Sequence, residues 1–422
     1  MNLLSAVMHK WLIIGIFFPV FAWSQHSDDS RILQQLCHND FSGRGYVNAG
    51  DSLAANFIAV EFKKLVLKPQ RRRYFQSFQF GVNTFPSSLS LAINGITLKP
   101  GKDYVVNPSS PSSKIERQTL LFSEKFQRVE DIVSGLDQLD PNLHILVLDK
   151  AHFKTRDELL VFRTAITKMA EVMPIIVLND GTPIWHVSQN QWKFPVFEID
   201  RAAFVEGKVV ATVDAKMKNH QARNVIARIP AKGKAKRRIV FTAHYDHLGR
   251  MGQETFYPGA NDNASGVTLM IAIARKLVKQ PRSSTEYVFI AFAGEEVGLL
   301  GSKYFVENPM FDLKSIRFLV NLDIFGGAQH SITAVNGTIY QEEFECLVNT
   351  NKEMNVTPEI KSRGESANSD HHYFHAAGVR SFFLYSGGNN KHYHVPTDEA
   401  QDVDMVLLDK CADLMVRFVG RL

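Results

Sequence analysis

Residues 238–247 read RIVFTAHYDH, an apolar segment that runs directly into two histidines and an aspartate. The apolar part, 238–243, predicts a buried strand. Further apolar strands are predicted at 286–292, 318–322 and 381–384, with helical patterns between them. Strands that alternate with helices form a largely parallel or mixed sheet that is covered by helices. This part of the chain therefore predicts an α/β fold.

Polar side chains follow each predicted strand at its carboxyl end. They are His244 and Asp246, Glu295 and Glu296, Asp323 and, after a longer loop, His394, while Asp262 lies in a loop that opens the helix predicted at 267–278. The carboxyl ends of parallel strands meet at one edge of a sheet, where open α/β folds build their sites. Each residue alone would be an ordinary turn or helix-cap residue. Their shared position predicts one functional crevice.

A crevice with this many carboxylates requires positive charge. Converging carboxylates raise one another's pKa, whereas two divalent cations about 3.5–4 Å apart neutralise them. Mixed nitrogen and oxygen ligands suit zinc. Asp246 lies two residues after His244, so on an extended strand its carboxylate can accept the ring N–H of that histidine. The side chains of the neighbours Glu295 and Glu296 diverge, so one can bind metal while the other faces the attacking water.

Six sequence strings surround these residues: AHYDHLG (243–249), GANDNASG (259–266), FAGEEVGLLGS (292–302), NLDIFG (321–326), SDHHYFHAAGVRS (369–381) and HYHVPTDEA (392–400). Together they resemble the M28 family of metallopeptidases, whose members are mostly aminopeptidases with two zinc ions. The string FSGRG (41–45) is similar to the N-terminal segment of that family. Residues 78–205 resemble, far more loosely, a protease-associated domain.

The resemblance implies a metal role for five residues. His244 and Asp323 would bind one zinc ion, Glu296 and His394 would bind the other, and Asp262 would bridge the two. The expected cofactor is thus Zn²⁺, two ions per chain, in a zinc-aminopeptidase type of sheet.

The resemblance also assigns the two catalytic residues that do not bind metal. Glu295 would be the general base, which takes a proton from the water between the metals and passes it to the leaving amine. The residue chemistry agrees, because a bound metal lowers the pKa of water and a nearby carboxylate can carry its proton at neutral pH. Asp246 would support His244. The peptide bond between Asp262 and Asn263 is expected to be cis.

One family feature is missing at its expected position. Some aminopeptidases of the family carry a tyrosine shortly before the Ser-Asp-His motif, where it stabilises the oxyanion, and here Ser366 stands there. Tyr373 and His371 are candidates for this role because they are close in sequence. The loop Asn389-Asn390-Lys391 also carries no acidic side chain that could anchor a free amino terminus, so the choice of aminopeptidase over carboxypeptidase or dipeptidase rests on the frequency of aminopeptidases in the family.

The predicted function is that of a secreted exopeptidase that removes N-terminal residues from peptide or protein substrates. A glutaminyl cyclase is an alternative, since such enzymes share the fold and keep one zinc ion. A carboxypeptidase or dipeptidase of the same fold is another. A receptor-like module without catalysis is the third, but such relatives lose metal ligands and the sequence retains all five.

The rest of the chain predicts three further segments. Residues 1–24 form a cleavable signal peptide, because Lys10 precedes an apolar run that ends in Ala-Trp-Ser and is too short to span a membrane. Residues 25–77 belong to the peptidase domain and contain a helix at 53–67 whose apolar face includes Leu53 and Val60. Residues 78–205 form a smaller, strand-rich α+β insert, and 206–422 the catalytic domain.

The bulk composition excludes several classes of protein. The chain of 422 residues carries a formal charge of +5 and is 45% hydrophobic, as is typical of a globular enzyme. Its short basic runs lack the interleaved aromatics of a nucleic-acid binder, and no membrane contact is expected after signal cleavage, so the protein is predicted to be secreted or periplasmic. Three widely spaced cysteines show no disulfide framework. The sequence leaves the oligomeric state open.

Overall fold

Helices cover two mixed β-sheets in this protein. The computed structural model describes residues 20–121, 140–235, 237–281 and 283–422, with side chains from residue 28 onward. The helices in these ranges are α1 (Val20–Leu36), α2 (Gly50–Lys64), α3 (Arg156–Met169), α4 (Ser265–Val278), α5 (Leu300–Glu307), α6 (Gln341–Met354), α7 (His371–Ala376) and α8 (Met405–Gly420). Among the described residues, no helix has the length and apolar character needed to cross a membrane.

Most strands are short and apolar. They are β1 (Lys68–Pro69), β2 (Phe75–Thr84), β3 (Leu89–Ile93), β4 (Ile96–Thr97), β5 (Tyr104–Val106), β6 (Ser113–Leu121), β7 (His144–Asp149), β8 (Ile175–Asn179), β9 (Val196–Asp200), β10 (Lys208–Val213), β11 (Lys216–Ile229), β12 (Arg237–His244), β13 (Arg250–Met251), β14 (Thr255–Phe256), β15 (Thr285–Phe292), β16 (Ile316–Leu322), β17 (Ser331–Val335), β18 (Ile360–Arg363) and β19 (Ser381–Gly387).

The first sheet holds the strands that the sequence predicted. Its order is β1-β11-β15-β12-β16-β19-β17-β18, and β2 pairs with β11. The central strands β15, β12, β16 and β19 run parallel, while β11 and β17 pair antiparallel with their neighbours β15 and β19. The sheet is therefore mixed, in agreement with the predicted α/β class.

Helices bury both faces of this sheet. On one face, Ile271 of α4 and Met415 of α8 share a core with Phe241 of β12. On the other face, Phe305 of α5 and Phe374 of α7 pack with the strands. Strands that are buried on both sides must be apolar throughout, which is why they are continuous apolar runs in the sequence.

The second sheet has the order β4-β3-β10-β6-β7-β8-β9-β5. Its strands β6 to β9 are parallel, and α3 covers one face through Phe162 and Met169. The chain enters this sheet after Thr84 and leaves it after Val213. The predicted limits of the insert, 78–205, place part of β2 inside it, although β2 pairs with β11 of the first sheet. The division into domains stays a prediction.

The bounds and the buried face of helix α2 differ from the predicted ones. The helix was expected at 53–67 and lies three residues earlier at both ends. Leu53 and Val60, assigned to its apolar face, are 40% and 44% exposed. The buried face instead carries Ala54, Ala55, Ile58, Ala59 and Phe62. Three of these five residues are alanines, whose short side chains allow a helix to lie close to a sheet, so Leu53 and Val60 did not mark the buried side.

Two further predictions concern the N-terminus and the cysteines. Residues 1–19 of the predicted signal peptide lie outside the described residues, and the predicted cleavage point after Ser24 falls within α1. All three cysteines, Cys37, Cys346 and Cys411, have free thiols.

Candidate metal centre

The predicted site residues lie at one edge of the first sheet. His244 ends β12, Glu295 and Glu296 follow β15, Asp323 follows β16, and His394 lies in the loop after β19. Asp262 lies in a short helical turn, Ala260–Ala264, directly before α4. Because β12, β15, β16 and β19 are parallel, their carboxyl ends deliver these side chains to the same place.

The side chains of the five predicted metal ligands converge. The Nε2 atom of His244 lies 3.2 Å from Oδ1 of Asp262 and 3.1 Å from Oδ1 of Asp323. The Nε2 atom of His394 lies 3.1 Å from Oδ2 of Asp262 and 3.2 Å from Oε2 of Glu296. The two oxygens of Asp262 therefore face two different histidines. This divides the cluster into two groups of donors that share one carboxylate.

Glu295 lies beside the first of these groups. Potential ligand atoms of His244, Glu295 and Asp323 lie within 4.8 Å of one another, as do those of His244, Asp262 and Glu296. The carboxylate of Glu295 is thus close enough to the donors to exchange a proton with a group bound among them.

Charge and burial shift the pKa values of this cluster in opposite directions. Burial raises the pKa of Glu295 well above its usual range, and the neighbouring Asp323 and Glu296 raise it further. Burial also disfavours the charged form of Glu296, but His394 and His247 lower its pKa to about 2. Burial opposes the protonation of His394, yet Glu296 and Asp262 raise the pKa of its imidazole to about 11. The buried carboxylates therefore require positive charge between or beside them.

Asp246 lies next to His244 in a different arrangement from the predicted one. The ring Nδ1 of His244 is 3.2 Å from the backbone oxygen of Asp246 and 3.9 Å from its carboxylate. The carboxylate instead accepts the backbone N–H groups of Glu295 and Glu296, at 3.2 and 3.3 Å, and the hydroxyl of buried Tyr46, at 2.5 Å. Asp246 thus contacts both the histidine and the glutamate pair.

His247 is a contact that the sequence reasoning did not assign. Its Nδ1 lies 2.7 Å from Oε1 of Glu296, which leaves Oε2 on the side of His394. Gly259 leaves room for this ring, because a Cβ atom there would lie 2.3 Å from Cδ2 of His247. The signal available in the sequence was the second histidine of AHYDHLG.

Two further side chains hold the loop that carries Asp262. The carboxylate of buried Asp398 accepts the backbone N–H groups of Asn261 and Asp262, at 2.8 and 3.1 Å. Arg44 is fully buried, and its guanidinium donates to the backbone oxygens of Tyr245 (2.8 Å), Leu36 (2.9 Å), Pro258 (2.5 Å), Gly259 (2.6 Å) and Asp262 (3.4 Å). The peptide bond between Asp262 and Asn263 is cis, as predicted.

On the opposite side of the cluster, Ser369 holds Asp323. The hydroxyl of Ser369 donates to Oδ2 of Asp323 at 2.7 Å and accepts from the side-chain amide of Asn321 at 2.7 Å. The amide of Asn321 is fixed in turn by Thr242 of β12. These residues all belong to the first sheet or the loops that follow its strands.

The candidates for oxyanion stabilisation lie in different surroundings in the structure. His371 is buried with its ring near Phe383, Tyr373 is half-buried in α7 beside His372, and a role for either stays a prediction. Tyr393, which the sequence reasoning did not consider, is 43% exposed and its ring stacks on His394 at 3.9 Å. Burial and the carboxylates of the cluster, Asp262 foremost, raise the pKa of the Tyr393 phenol. The phenol of Tyr393 therefore stays protonated at neutral pH.

Comparisons with known proteins bear on this geometry. The model of "Peptidase family M28" matches residues 224–419. "Aminopeptidase YwaD" of Bacillus subtilis is 30% identical over 393 residues, which cover 88% of this chain and 79% of that protein. The chain belongs to peptidase family M28.

Further relatives agree with this assignment. A "Probable leucine aminopeptidase" of Trichophyton verrucosum is 28% identical over 258 residues, 56% of this chain and 65% of that protein. The solved structure of "BSAP, a zinc aminopeptidase from Bacillus subtilis" matches with a TM-score of 0.70 at 21% identity and covers 94% of this chain and 95% of that one. The predicted family, the α/β fold class and the enzyme class, a metallopeptidase, are confirmed.

Proposed function

We propose that this M28 peptidase is a zinc-dependent aminopeptidase that works with two zinc ions. One ion would be held by His244 and Asp323, the other by Glu296 and His394, with Asp262 bridging. The observation that carries this proposal is the position of Asp262, whose two carboxylate oxygens face two different histidines at 3.1–3.2 Å. That arrangement suits a carboxylate shared between two metal ions.

The chemistry of the donors fits zinc. The set combines two imidazoles and three carboxylates, the nitrogen and oxygen ligands that zinc takes in catalytic sites. The hydrogen bonds between the proposed ligands and their neighbours also fit a zinc site. In each proposed pair, Nδ1 of the histidine faces a backbone oxygen and the carboxylate has a hydrogen-bonding partner. Partners of this kind fix the tautomer and orientation of metal-binding side chains.

In the proposed reaction, the residues that do not bind zinc have different roles. Zinc, when bound, lowers the pKa of a coordinated water and polarises the scissile carbonyl. Glu295 accepts the proton of the attacking water at its carboxylate and delivers it to the leaving amine. Asp246 holds the backbone of Glu295 through its N–H group. Tyr393, whose ring stacks on His394, is the proposed hydrogen-bond donor to the oxygen on which negative charge develops.

Aminopeptidase activity is the choice among exopeptidases because the relatives bear that name. "Aminopeptidase YwaD" and the "Probable leucine aminopeptidase" are named for the removal of N-terminal residues. Peptides with a free amino terminus are therefore the proposed substrates. The predicted signal peptide, 1–24, adds the proposal that the enzyme acts outside the cytoplasm, and N-terminal sequencing of the exported protein should give Gln25 as its first residue.

The decisive experiment is the Glu295→Gln variant. It should keep its zinc and lose roughly 10²–10⁴ in kcat on leucine 4-nitroanilide, because a general base contributes about that much. The matched control is Glu206→Gln at an exposed site, which should behave as the wild type. Normal hydrolysis by the Glu295 variant would remove Glu295 from the mechanism.

The same preparation separates the alternatives. Two zinc ions per chain and no cleavage of N-acetylated leucine 4-nitroanilide are expected for the proposed enzyme. One zinc ion together with cyclisation of N-terminal glutamine would indicate a glutaminyl cyclase. Cleavage of N-blocked peptides from the carboxyl end would indicate a carboxypeptidase, and a protein that binds no zinc would indicate a receptor-like module.

A further inference from the structure

A loop of the second sheet lies against the metal centre. This 180–195 loop connects β8 and β9, and Trp185 within it exchanges two hydrogen bonds with His394. The backbone N–H of Trp185 donates to the backbone oxygen of His394 at 3.1 Å. The Nδ1 of His394 lies 2.8 Å from the backbone oxygen of Trp185.

The contact of Nδ1 with the Trp185 carbonyl fixes the tautomer of the His394 ring, and Nδ1 also lies 3.2 Å from Nδ1 of His186 in the same loop. A carbonyl oxygen can only accept a hydrogen bond, so Nδ1 of His394 carries the proton. The other nitrogen, Nε2, then points between Asp262 and Glu296 as the one available to a metal. The backbone of His394 also has a φ of 55°, a left-handed conformation that a non-glycine residue adopts only when other contacts hold it there. The bond from Trp185 N–H to the His394 oxygen is such a contact.

The side chain of Trp185 is held by the second sheet and by Tyr257, which lies in the segment between β14 and Asp262. Its side chain is 4% exposed, its indole N–H donates to the backbone oxygen of Val106 in β5 at 2.8 Å, and its ring stacks on Tyr257 at 5.1 Å. The same loop reaches the turn after Glu296, where Gln189 donates to the backbone oxygen of Val297 at 2.9 Å. The loop thus contacts both segments that carry the Glu296–His394 pair.

The other half of the centre takes its support from elsewhere. Ser369 and Asn321 fix Asp323, and the backbone oxygen of Asp246 faces the ring of His244. These contacts lie in the first sheet and its loops. The two proposed metal positions therefore differ in one respect: His394 is contacted by a loop of the second sheet, whereas the contacts described for His244 and Asp323 come from the first sheet and its loops.

We propose that the second sheet, through Trp185, holds His394 in its metal-binding orientation and thereby sets the affinity of one of the two zinc ions. Loss of Trp185 weakens the ion held by Glu296 and His394 and leaves the ion held by His244 and Asp323 in place. The inference rests on the proposed function, because it takes His394 as a zinc ligand.

The test measures zinc binding in the Trp185→Ala variant. Zinc-loaded full-length protein is titrated with chelators of graded strength, and the zinc left per chain is counted by mass spectrometry. Alanine keeps the backbone groups that face His394 but loses the indole that anchors them, so the dissociation constant of one zinc ion should rise about 10–100-fold, as is typical when the outer contacts of a metal ligand are disturbed, and that of the other should not change. Trp185→Phe keeps an aromatic ring but loses the bond to Val106, so it should weaken the same ion by a smaller factor while preserving the fold.

The control is Trp192→Ala. Trp192 lies in the same loop but packs with the core beneath α3, so this variant should keep wild-type affinity for both ions. A second comparison uses His394→Ala, which should weaken the same ion, with no further loss in the double variant of Trp185 and His394 because both substitutions act through one imidazole.

Three results would overturn the inference. Wild-type zinc affinities in both Trp185 variants, with zinc lost from His394→Ala, would refute the role of Trp185 and leave the proposed function intact. Equal weakening of both ions by Trp185→Ala and Trp192→Ala would show a general loosening of the loop. Two tightly bound zinc ions in His394→Ala would remove His394 from the ligand set, and with it both proposals.

Discussion

Replacing Arg44 by lysine tests how the loop that carries Asp262 is held in place. The guanidinium is fully buried and donates to five backbone oxygens. They come from the end of α1, the segment after β12 and the loop before α4. Four of the five distances are 2.9 Å or shorter, so this one side chain connects three segments that meet behind the metal centre.

The size of the expected loss of stability follows from the arrangement of N–H donors in arginine and in lysine. Arginine has N–H donors on three nitrogens in a planar fork, whereas lysine has three donors on a single nitrogen. An ammonium at this position can therefore serve about two of the four closely bonded oxygens. The two that remain are buried acceptors without a donor, and each costs about 1–3 kcal/mol. Arg44→Lys should lower the free energy of unfolding by about 2–6 kcal/mol, a large share of the roughly 5–15 kcal/mol that folded proteins have.

The assay is urea unfolding followed by tryptophan fluorescence, with zinc counted in the folded protein. The midpoint should fall, and zinc should be held more weakly because the backbone of Asp262 is among the groups that Arg44 contacts. Arg363→Lys is the control, since Arg363 is exposed at the end of β18. An Arg44→Lys protein with the stability of the wild type would refute the argument that the fork of hydrogen bonds holds these segments.

Three further predictions concern other parts of the centre and the fold. Gly259→Ala should lower both the melting temperature and zinc retention, because its Cβ atom would lie 2.3 Å from Cδ2 of His247 and 2.4 Å from the backbone oxygen of Asp262. Gly95→Ala, at a φ of +79° with open space around it, should cost only about 1 kcal/mol of backbone strain and no zinc, and equal effects of the two substitutions would contradict this reasoning. Glu343→Gln should destabilise the protein by about 2–3 kcal/mol at pH 7. This is less than the loss of stability expected on breaking a fully buried ion pair, because the arginine partners of Glu343 are partly exposed. Burial opposes ionisation of Glu343, but its arginine partners lower its pKa, so its contribution is complete above the unfolded value of about 4.3 and is lost as the pH falls through the folded value. The difference between variant and wild type in urea midpoints should therefore shrink between pH 7 and pH 3, and a constant difference would argue against the ion pair. Asp246→Asn should weaken zinc binding about 10–100-fold in a chelator titration, and unchanged affinity would show that this carboxylate does not order the centre.

The central sheet could be predicted because its physical constraints are local in sequence. Strands such as β12 and β15 are buried on both faces, so each had to be a continuous apolar run. The residues of the candidate centre follow these strands directly. Once the strands were taken as parallel, their common edge placed His244, Glu296 and Asp323 together without any knowledge of distances.

The contacts around these residues could not be predicted in the same way. Arg44 and Tyr46 are about 200 positions away in sequence from the groups that they contact. A periodic pattern in the sequence does not predict such contacts. The buried face of α2 was predicted wrongly because three alanines pack closely on it while Leu53 and Val60 are exposed. The parallel strands β7, β8 and β9 of the second sheet have only five or six residues each, so the pattern of apolar residues did not indicate their direction.

The contact between Trp185 and His394 also acts in the reverse direction. Linkage between two equilibria is reciprocal, so if docking of the 180–195 loop strengthens zinc binding by a given factor, bound zinc strengthens docking of the loop by the same factor. A factor of about 10–100 corresponds to about 1.4–2.8 kcal/mol. This free energy would add to the buried contacts of Trp185 with Tyr257 and Val106. In this proposal the second sheet, whose described residues include none of the proposed catalytic groups, influences the chemistry because it holds His394 and is itself stabilised when that histidine binds metal.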